Sequence, residues 1–350
     1  MLLWEDVFLK KTLYVLYTCD ENYAPYAGIS MNSLFENNRE LERICVYLVV
    51  DGVSGKNKKR FLEQAKKYER ELILVDASMI VERIRSLGIP TYRGSYTANC
   101  RLFFEHFIRD DVDRLLYLDC DTLVVSFLGA LIEADMNGKA VGAVRDSLTD
   151  EYKTLIGLSK TDDYFNSGVL LIDVERWKNQ NITQLLFDHA KNVRSEFCNP
   201  DQDLLNIVLK DKKYILPPEY NFQPSHRVFS DRAYFGAYKH AVYYSRSELM
   251  RARKNPKILH SYRFLGDFPW NTGNLHPDTE IFDRFMKNSL WCDYVKKPSG
   301  RGLVFAIEKL LYRFLPRALF LRIFAILTLN SFRRRNAELI DSKFKKPGKT

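Results

Sequence analysis

No two cysteines of this 350-residue sequence are spaced as a C-x-x-C pair; Cys19, Cys45, Cys100, Cys120, Cys198 and Cys292 stand singly. That scatter indicates neither a cysteine zinc site nor a disulfide framework, and it favours a reducing compartment. No G-x-G-x-x-G occurs, so the glycine-rich dinucleotide fingerprint is absent. No apolar run reaches the roughly 18–20 residues that a membrane-spanning helix needs. The start, MLLWEDVFLKK, carries acids inside its apolar stretch and no small-residue cleavage site, so no signal peptide is expected. Internal repeats and low-complexity tracts are also missing. What remains is 46% hydrophobic and 13% aromatic, enough for a large packed core.

The formal charge is +9, and its position matters more than its size. Residues 301–350 hold twelve Lys and Arg against Glu308, Glu338 and Asp341, which accounts for the whole excess. Residues 1–300 hold 41 bases and 41 acids. The body therefore has no electrostatic surplus for nucleic acid, and a nucleic-acid partner is not expected.

Short β-prone runs at Leu13–Tyr17, Ile44–Val50 and Glu71–Val75 alternate with helical stretches at Ala24–Phe35 and Phe61–Tyr68. Continuous apolar strands between amphipathic helices predict an α/β protein opening on a doubly wound, parallel, Rossmann-like sheet. Such sheets bind ligands at the carboxyl ends of their strands. Further on, the pattern predicts a helix over Ala98–Ile108 and a strand at Leu115–Leu118 continued by Leu123–Val125. It also predicts strands at Val141–Val144 and Gly168–Ile172, and helices from Val174 and over Asp203–Leu209. Residues 214–274 are rich in proline and read as loops. The break at 297–302 divides a body (1–299) from a tail (300–350).

Four constellations at these strand ends could carry chemistry. Asp119-Cys120-Asp121 follows the apolar LLYL, so its two carboxylates can share a hard divalent ion. A turn or capping pair is an equal reading of the local text. Two further D-x-D triplets, Asp111/Asp113 and Asp201/Asp203, show how little the pattern means alone. Thr18-Cys19-Asp20-Glu21-Asn22-Tyr23 closes the first strand with carboxylates, an amide and an aromatic face, which suit ribose hydroxyls and a base. His260 follows Ile258-Leu259 and could complete a coordination sphere, although a lone histidine is more often structural. Asn199-Pro200-Asp201-Gln202-Asp203 opens a helix, where capping is the default role and contact with a substrate is the alternative.

Taken in order, CDENYAPYAGIS (19–30), TANCRLFFEHF (97–107), LLYLDCDTLV (115–124), VGAVRD (141–146), YFNSGVLLIDVERW (164–177), PDQDLLN (200–206) and ILHSY with FPW (258–270) resemble glycosyltransferase family 8. The resemblance spans roughly residues 12–275. It implies the GT-A fold and retaining transfer of a hexose, galactose or glucose, from a UDP-sugar to a saccharide acceptor. It makes Asp119, Asp121 and His260 the ligands of Mn²⁺, with Mg²⁺ as the alternative ion. Thr18, Asp20, Asn22 and Tyr23 match the uridine-binding segment, and Arg101, Asp146, Asn166 and Ser167 match residues around the donor sugar and its phosphate. Asp201 and Gln202 match the pair nearest the reacting carbon. One departure stands out: the family's Lys-Pro-Trp loop reads Phe268-Pro269-Trp270 here, which leaves Arg263 or the metal to replace the lysine. A UDP-sugar-binding protein without activity is the weaker alternative, because the acidic pair and His260 are intact.

The tail LVFAIEKLLYRFLPRALFLRIFAILTLNSFRRR mixes Leu, Phe and Ile with Lys309, Arg313 and Arg317 at four-residue spacing, and Pro316 divides it. Apolar bulk with bases and no spanning length predicts helices lying on an anionic membrane surface. A helical hairpin packed on the body or on a second subunit is the alternative. The expected location is cytoplasmic, on the inner face of the cell membrane, with a lipid- or protein-linked glycan as acceptor.

Overall fold

The computed structural model describes residues 12–89, 91, 94–192, 199–300 and 302–344. The N-terminal MLLWEDVFLKK, Cys198 and the terminal bases Lys345, Lys346 and Lys349 lie outside the described residues. Three strand–helix units open the chain: β1 (Thr12–Asp20) and α1 (Ala24–Glu36), β2 (Arg43–Asp51) and α2 (Gly55–Lys67), β3 (Glu71–Asp76) and α3 (Ser78–Ser86). A 3₁₀ segment, Thr97–His106, replaces the expected α-helix at 98–108. Most of Thr97–Phe104 is buried, so the segment has no polar stripe, and packing sets its winding. Then come β4 (Arg114–Leu118), β5 (Thr122–Val124), β6 (Val141–Arg145), α4 (Asp150–Leu155), β7 (Phe165–Asp173), α5 (Pro200–Val208), β8 (Lys213–Ile215), α6 (Asp231–Tyr238) and β9 (Ile258–His260). Two helices end the described chain, α7 (Leu303–Phe314) and α8 (Arg317–Phe344).

Seven strands form one sheet in the order β3-β2-β1-β4-β7-β6-β8. Its first four strands are parallel, as the repeated units imply. β7 runs antiparallel to both β4 and β6, which the sequence did not disclose. GVLLI is buried on both faces and reads the same in either direction. Successive residues of β1 serve opposite sides: Leu13, Val15, Tyr17 and Cys19 join one apolar cluster, Tyr14 and Leu16 the other. The polarity of β7 has a functional consequence. Its beginning, Asn166-Ser167-Gly168, lies at the edge where β1, β4 and β6 end.

The second correction concerns Leu123-Val124-Val125, which does not continue β4. The Thr122 N–H and hydroxyl both reach back to the Asp119 carbonyl, at 3.1 and 2.8 Å, and turn the chain. β5 then pairs antiparallel with β9 in a separate two-stranded sheet, with Thr122 opposite His260. That register delivers His260 to the Asp119–Asp121 turn. The stretch 214–274 is also less irregular than its prolines imply. It holds a helix, Arg246–Lys254, opened by a Ser245/Glu248 capping box.

The C-terminal helices rest partly on the body. Phe320, Leu321 and Ala325 of α8 are buried, and Phe320 lies parallel to Phe229 with ring centres 6.2 Å apart. Lys309 of α7 pairs with the buried Asp267. Leu303, Val304, Leu310 and Phe314 of α7, and Ile326 and Leu327 of α8, stay exposed. No helix among the described residues is long and apolar enough to cross a membrane.

Candidate active site

The carboxyl edge of the sheet opens into a cavity of about 670 Å³. Thr18, Asp20, Asn22 and Tyr23 line it from the end of β1, and Arg101 lines it from the 3₁₀ segment. Asp119 and Asp121 come from the turn after β4, Asp146 from the end of β6, and Asn166 and Ser167 from the start of β7. Asp201 and Gln202 enter on the first turn of α5, and His260 at the end of β9. All thirteen residues matched to the family's metal, donor and reaction sites therefore face one space. Glu21 does not. Its carboxylate turns away to accept hydrogen bonds from the Ser54 N–H (2.8 Å) and Asn57 Nδ2 (3.0 Å), tying the loop to α2.

Ligand atoms of Asp119, Asp121 and His260 lie within 4.8 Å of one another. His260 Nε2 is 3.2 Å from Asp121 Oδ1 and 3.8 Å from Asp119 Oδ2. The other ring nitrogen, Nδ1, bonds Asn221 Oδ1 at 3.0 Å. Asn221 Nδ2 donates to Asn166 Oδ1 at 2.9 Å, and Asn166 Nδ2 donates to Asp146 Oδ2 at 2.8 Å. This relay has a direction. A carboxylate at its head accepts only, so each amide turns its NH₂ back towards Asp146 and its carbonyl on towards His260. Nδ1 then carries a proton, which leaves Nε2 aimed at the carboxylates and able to ligate a cation, the arrangement of a metal-ligating histidine.

The electrostatics fit a cation. Burial raises the Asp119 carboxyl above its ordinary range; Arg101 pulls it down, and Asp121 raises it further. Burial also disfavours a charge on His260, yet Asp121 and then Asp119 outweigh it and raise the imidazole. Two carboxylates and an imidazole crowded in this way suit a hard or borderline divalent ion such as Mn²⁺ or Mg²⁺.

Arg101 ties the floor of the cavity together. Only 5% exposed, it donates to the Ser167 carbonyl (2.6 Å) and Asp119 Oδ1 (3.3 Å), pairs closely with Asp201, and lies 4.4 Å above the Tyr117 ring centre. Tyr117 donates its hydroxyl to Asp119 Oδ1 at 2.6 Å. Gln202 is held from both ends. Its Oε1 accepts from the Ser167 N–H (3.0 Å) and hydroxyl (3.3 Å), while its Nε2 donates to Asp146 Oδ2 (3.1 Å) and Tyr164 (3.0 Å). Burial raises the Asp146 carboxyl despite the hydrogen bonds from Asn166 and Gln202. Of the other D-x-D triplets, only Asp201 reaches the cavity. Asp111 and Asp113 are exposed, and Asp203 is buried with its carboxylate accepting from Tyr152 (2.7 Å) and Tyr164 (2.6 Å).

Several contributors were not legible in the sequence. Asn221 and Tyr117 carry no motif of their own. Gly168 was read only as the start of a strand. A Cβ there would lie 2.1 Å from His260 Cε1 and 2.8 Å from Asp119 Oδ2, so only glycine lets the histidine approach. At the loop that departs from the family pattern, Arg263 lies 5.3 Å over the Phe268 ring and also lines the cavity. Phe268 stacks on Trp270 at 4.5 Å and Trp270 on Tyr26 at 3.8 Å. A wall contributed by α8 was likewise not foreseen.

Known proteins resemble the chain in sequence and in fold. The profile of Glycosyl transferase family 8 matches residues 14–272. General stress protein A of Bacillus subtilis is 28% identical over 284 residues, covering 80% of this chain and 94% of its own. Lipopolysaccharide 1,2-glucosyltransferase of Escherichia coli K12 is 27% identical over 299 residues, covering 82% and 81%. Among solved structures, galactosyltransferase LgtC in complex with donor and acceptor sugar analogues superimposes with a TM-score of 0.65 at 22% identity, over 79% of this chain and 96% of that one. The bifunctional glycosyltransferase WbbM gives a TM-score of 0.66 at 21% identity over 80% of this chain, which spans half of that protein.

Proposed function

Because the chain belongs to glycosyltransferase family 8, we propose that it is a metal-dependent, retaining UDP-hexose transferase, moving galactose or glucose to a glycan acceptor in bacterial surface-polysaccharide, lipopolysaccharide or glycoprotein synthesis. One observation carries this reading: Asp119, Asp121 and His260 converge at the floor of a cavity also lined by Thr18, Asp20, Asn22 and Tyr23. Related proteins bear the names lipopolysaccharide 1,2-glucosyltransferase and lipopolysaccharide 1,3-galactosyltransferase, which motivates the choice of hexose.

In this reading Asp119, Asp121 and His260 hold Mn²⁺, or Mg²⁺ in its place. Bound there, the ion would supply Lewis-acid charge to offset that of the departing diphosphate. Thr18, Asp20, Asn22 and Tyr23 receive the uridine. Arg101 and Ser167 sit beside the diphosphate side, and Asp146 and Asn166 receive hydroxyls of the sugar. Arg263, at the rim by Phe268, supplies the cation that the Lys-Pro-Trp loop would otherwise bring.

Retention requires either two inversions or attack from the leaving-group face. Gln202 is uncharged and held at both ends of its amide, and Asp201 is paired with Arg101, so neither is poised as a nucleophile. The acceptor hydroxyl therefore attacks the anomeric carbon on the face that the phosphate leaves. The carbon–oxygen bond to phosphate breaks, a bond to the acceptor oxygen forms, and the hydroxyl proton passes to the departing phosphate. The Gln202 carbonyl dipole lies beside the oxocarbenium-like carbon. Trapping a sugar on Asp201 with a slow donor analogue would overturn this route.

The exposed apolar side chains of α7, with the exposed Arg313, Arg322, Arg333, Arg334 and Arg335, face an anionic bilayer in this account, holding body 1–299 at the cytoplasmic surface. A panel of UDP-sugars tests the donor assignment. UDP-galactose or UDP-glucose should release UDP only with Mn²⁺ or Mg²⁺ and should delay thermal unfolding. A panel with neither release nor protection would refute the proposal.

A further inference from the structure

Helix α8 crosses the mouth of the cavity rather than lying wholly outside it. At one end Phe320 stacks on Phe229 and meets Tyr312 edge-on at 5.3 Å. At the other end Phe332 packs on Tyr152, 4.7 Å between centres, next to the segment that follows Asp146. Twelve residues of helix span about 18 Å, so the strap runs from the loop after His260 to the loop after β6. Phe320, Leu321, Phe324, Ala325, Leu329 and Phe332 line the cavity that holds Asp119 and Gln202. Thr328 is the one polar side chain among the α8 residues that line it.

That wall does not suit the donor. A UDP-sugar offers little apolar surface beyond its base, and the base has its own place at the end of β1. Nor does the wall suit a bare saccharide: phenyl rings can stack on a sugar face, but Leu321, Ala325 and Leu329 offer hydroxyls no partner. The opposite face of α8 is apolar too, with Ile326 and Leu327 about 60% exposed and Arg322 and Arg333 beside them. One helix thus joins the cavity to an apolar, basic outer surface. We propose that α8 is the acceptor wall of the cleft, and that the acceptor is a glycolipid whose apolar chain begins at or next to the accepting sugar and runs along this helix. The proposal rests on the UDP-sugar reading of the cavity floor and adds the class of acceptor.

Calorimetric titration of the full-length chain with methyl and octyl glucoside, both below the micellar concentration, tests the wall without needing turnover. Burying two or three methylenes should make the octyl compound bind roughly 15- to 60-fold more tightly than the methyl compound. Replacing Phe324 and Leu329 together by Ser should collapse that gap to about the threefold range, while the outward pair I326S/L327S keeps it. Equal binding of the two glucosides by the wild-type chain would overturn the proposal. So would a gap removed by the outward pair and kept by the inward one. A gap of the expected size in a chain that hydrolyses no UDP-sugar would instead leave the wall standing and sink the donor reading.

Discussion

Asn221→Ala removes the link that aims His260. Asn221 is 1% exposed and bridges Asn166 Oδ1 at 2.9 Å to His260 Nδ1 at 3.0 Å. Without it, the imidazole loses the acceptor that fixes its proton on Nδ1, and Nε2 no longer has a set orientation towards Asp119 and Asp121. Loss of such a supporting partner typically weakens metal binding about 10- to 100-fold, equivalent to roughly 1.4–2.7 kcal/mol. Unpaired groups left in the buried relay should lower folding stability by about 1–3 kcal/mol, a separate effect. The assay is UDP release from the preferred donor across a Mn²⁺ titration. The activation constant should rise 10- to 100-fold, and the rate at saturating Mn²⁺ should be largely restored. An unchanged activation constant in a destabilised variant would show that Asn221 only fills space, and the directional relay from Asp146 would be wrong.

Gly168→Ala should displace His260, since its Cβ would lie 2.1 Å from Cε1; Mn²⁺ activation should weaken at least as much as in Asn221→Ala, with about 1–3 kcal/mol of stability lost to overpacking, read by Mn²⁺ titration and urea unfolding. His226 is buried, and burial, then Arg253 and His240, push its imidazole down to about 3 from 6.5. Its contribution to stability is thus complete above pH 6.5 and lost progressively as pH falls towards 3. Between pH 6.5 and 5.0 this group should remove about 2 kcal/mol, and His226→Gln should flatten that part of the urea-derived stability profile. Arg263→Ala should raise KM for the UDP-sugar about tenfold through loss of its phosphate contact, and Arg263→Lys should recover part of that loss in steady-state kinetics.

The parts legible in the sequence were those with local causes. LYVLY, ICVYLVV and ELILV are short, apolar and separated by helices, and each became a parallel strand. Asp119 and Asp121 could be placed at a strand end because LLYL precedes them. The direction of β7 was not legible, since an apolar pattern shows which faces of a strand are buried and not which way the strand runs. His260 could be suspected but not aimed: its neighbours Asn221 and Gly168 are remote in sequence and meet it only through the β5–β9 pairing and the reversal of β7. The tail shows the same limit. Phe324 and Leu329 face the cavity while Ile326 and Leu327 face outward, and a helix apolar on both sides leaves no periodicity to tell the two apart.

The most direct test of the account is UDP release from UDP-galactose and UDP-glucose by the wild-type chain and by Asp119→Asn and Asp121→Asn, each with and without Mn²⁺ after chelation. The account predicts release by the wild type with Mn²⁺ alone, and a loss of at least about a hundredfold in either variant at any Mn²⁺ concentration. Release that persists in the chelated wild type, or survives both substitutions, would contradict it.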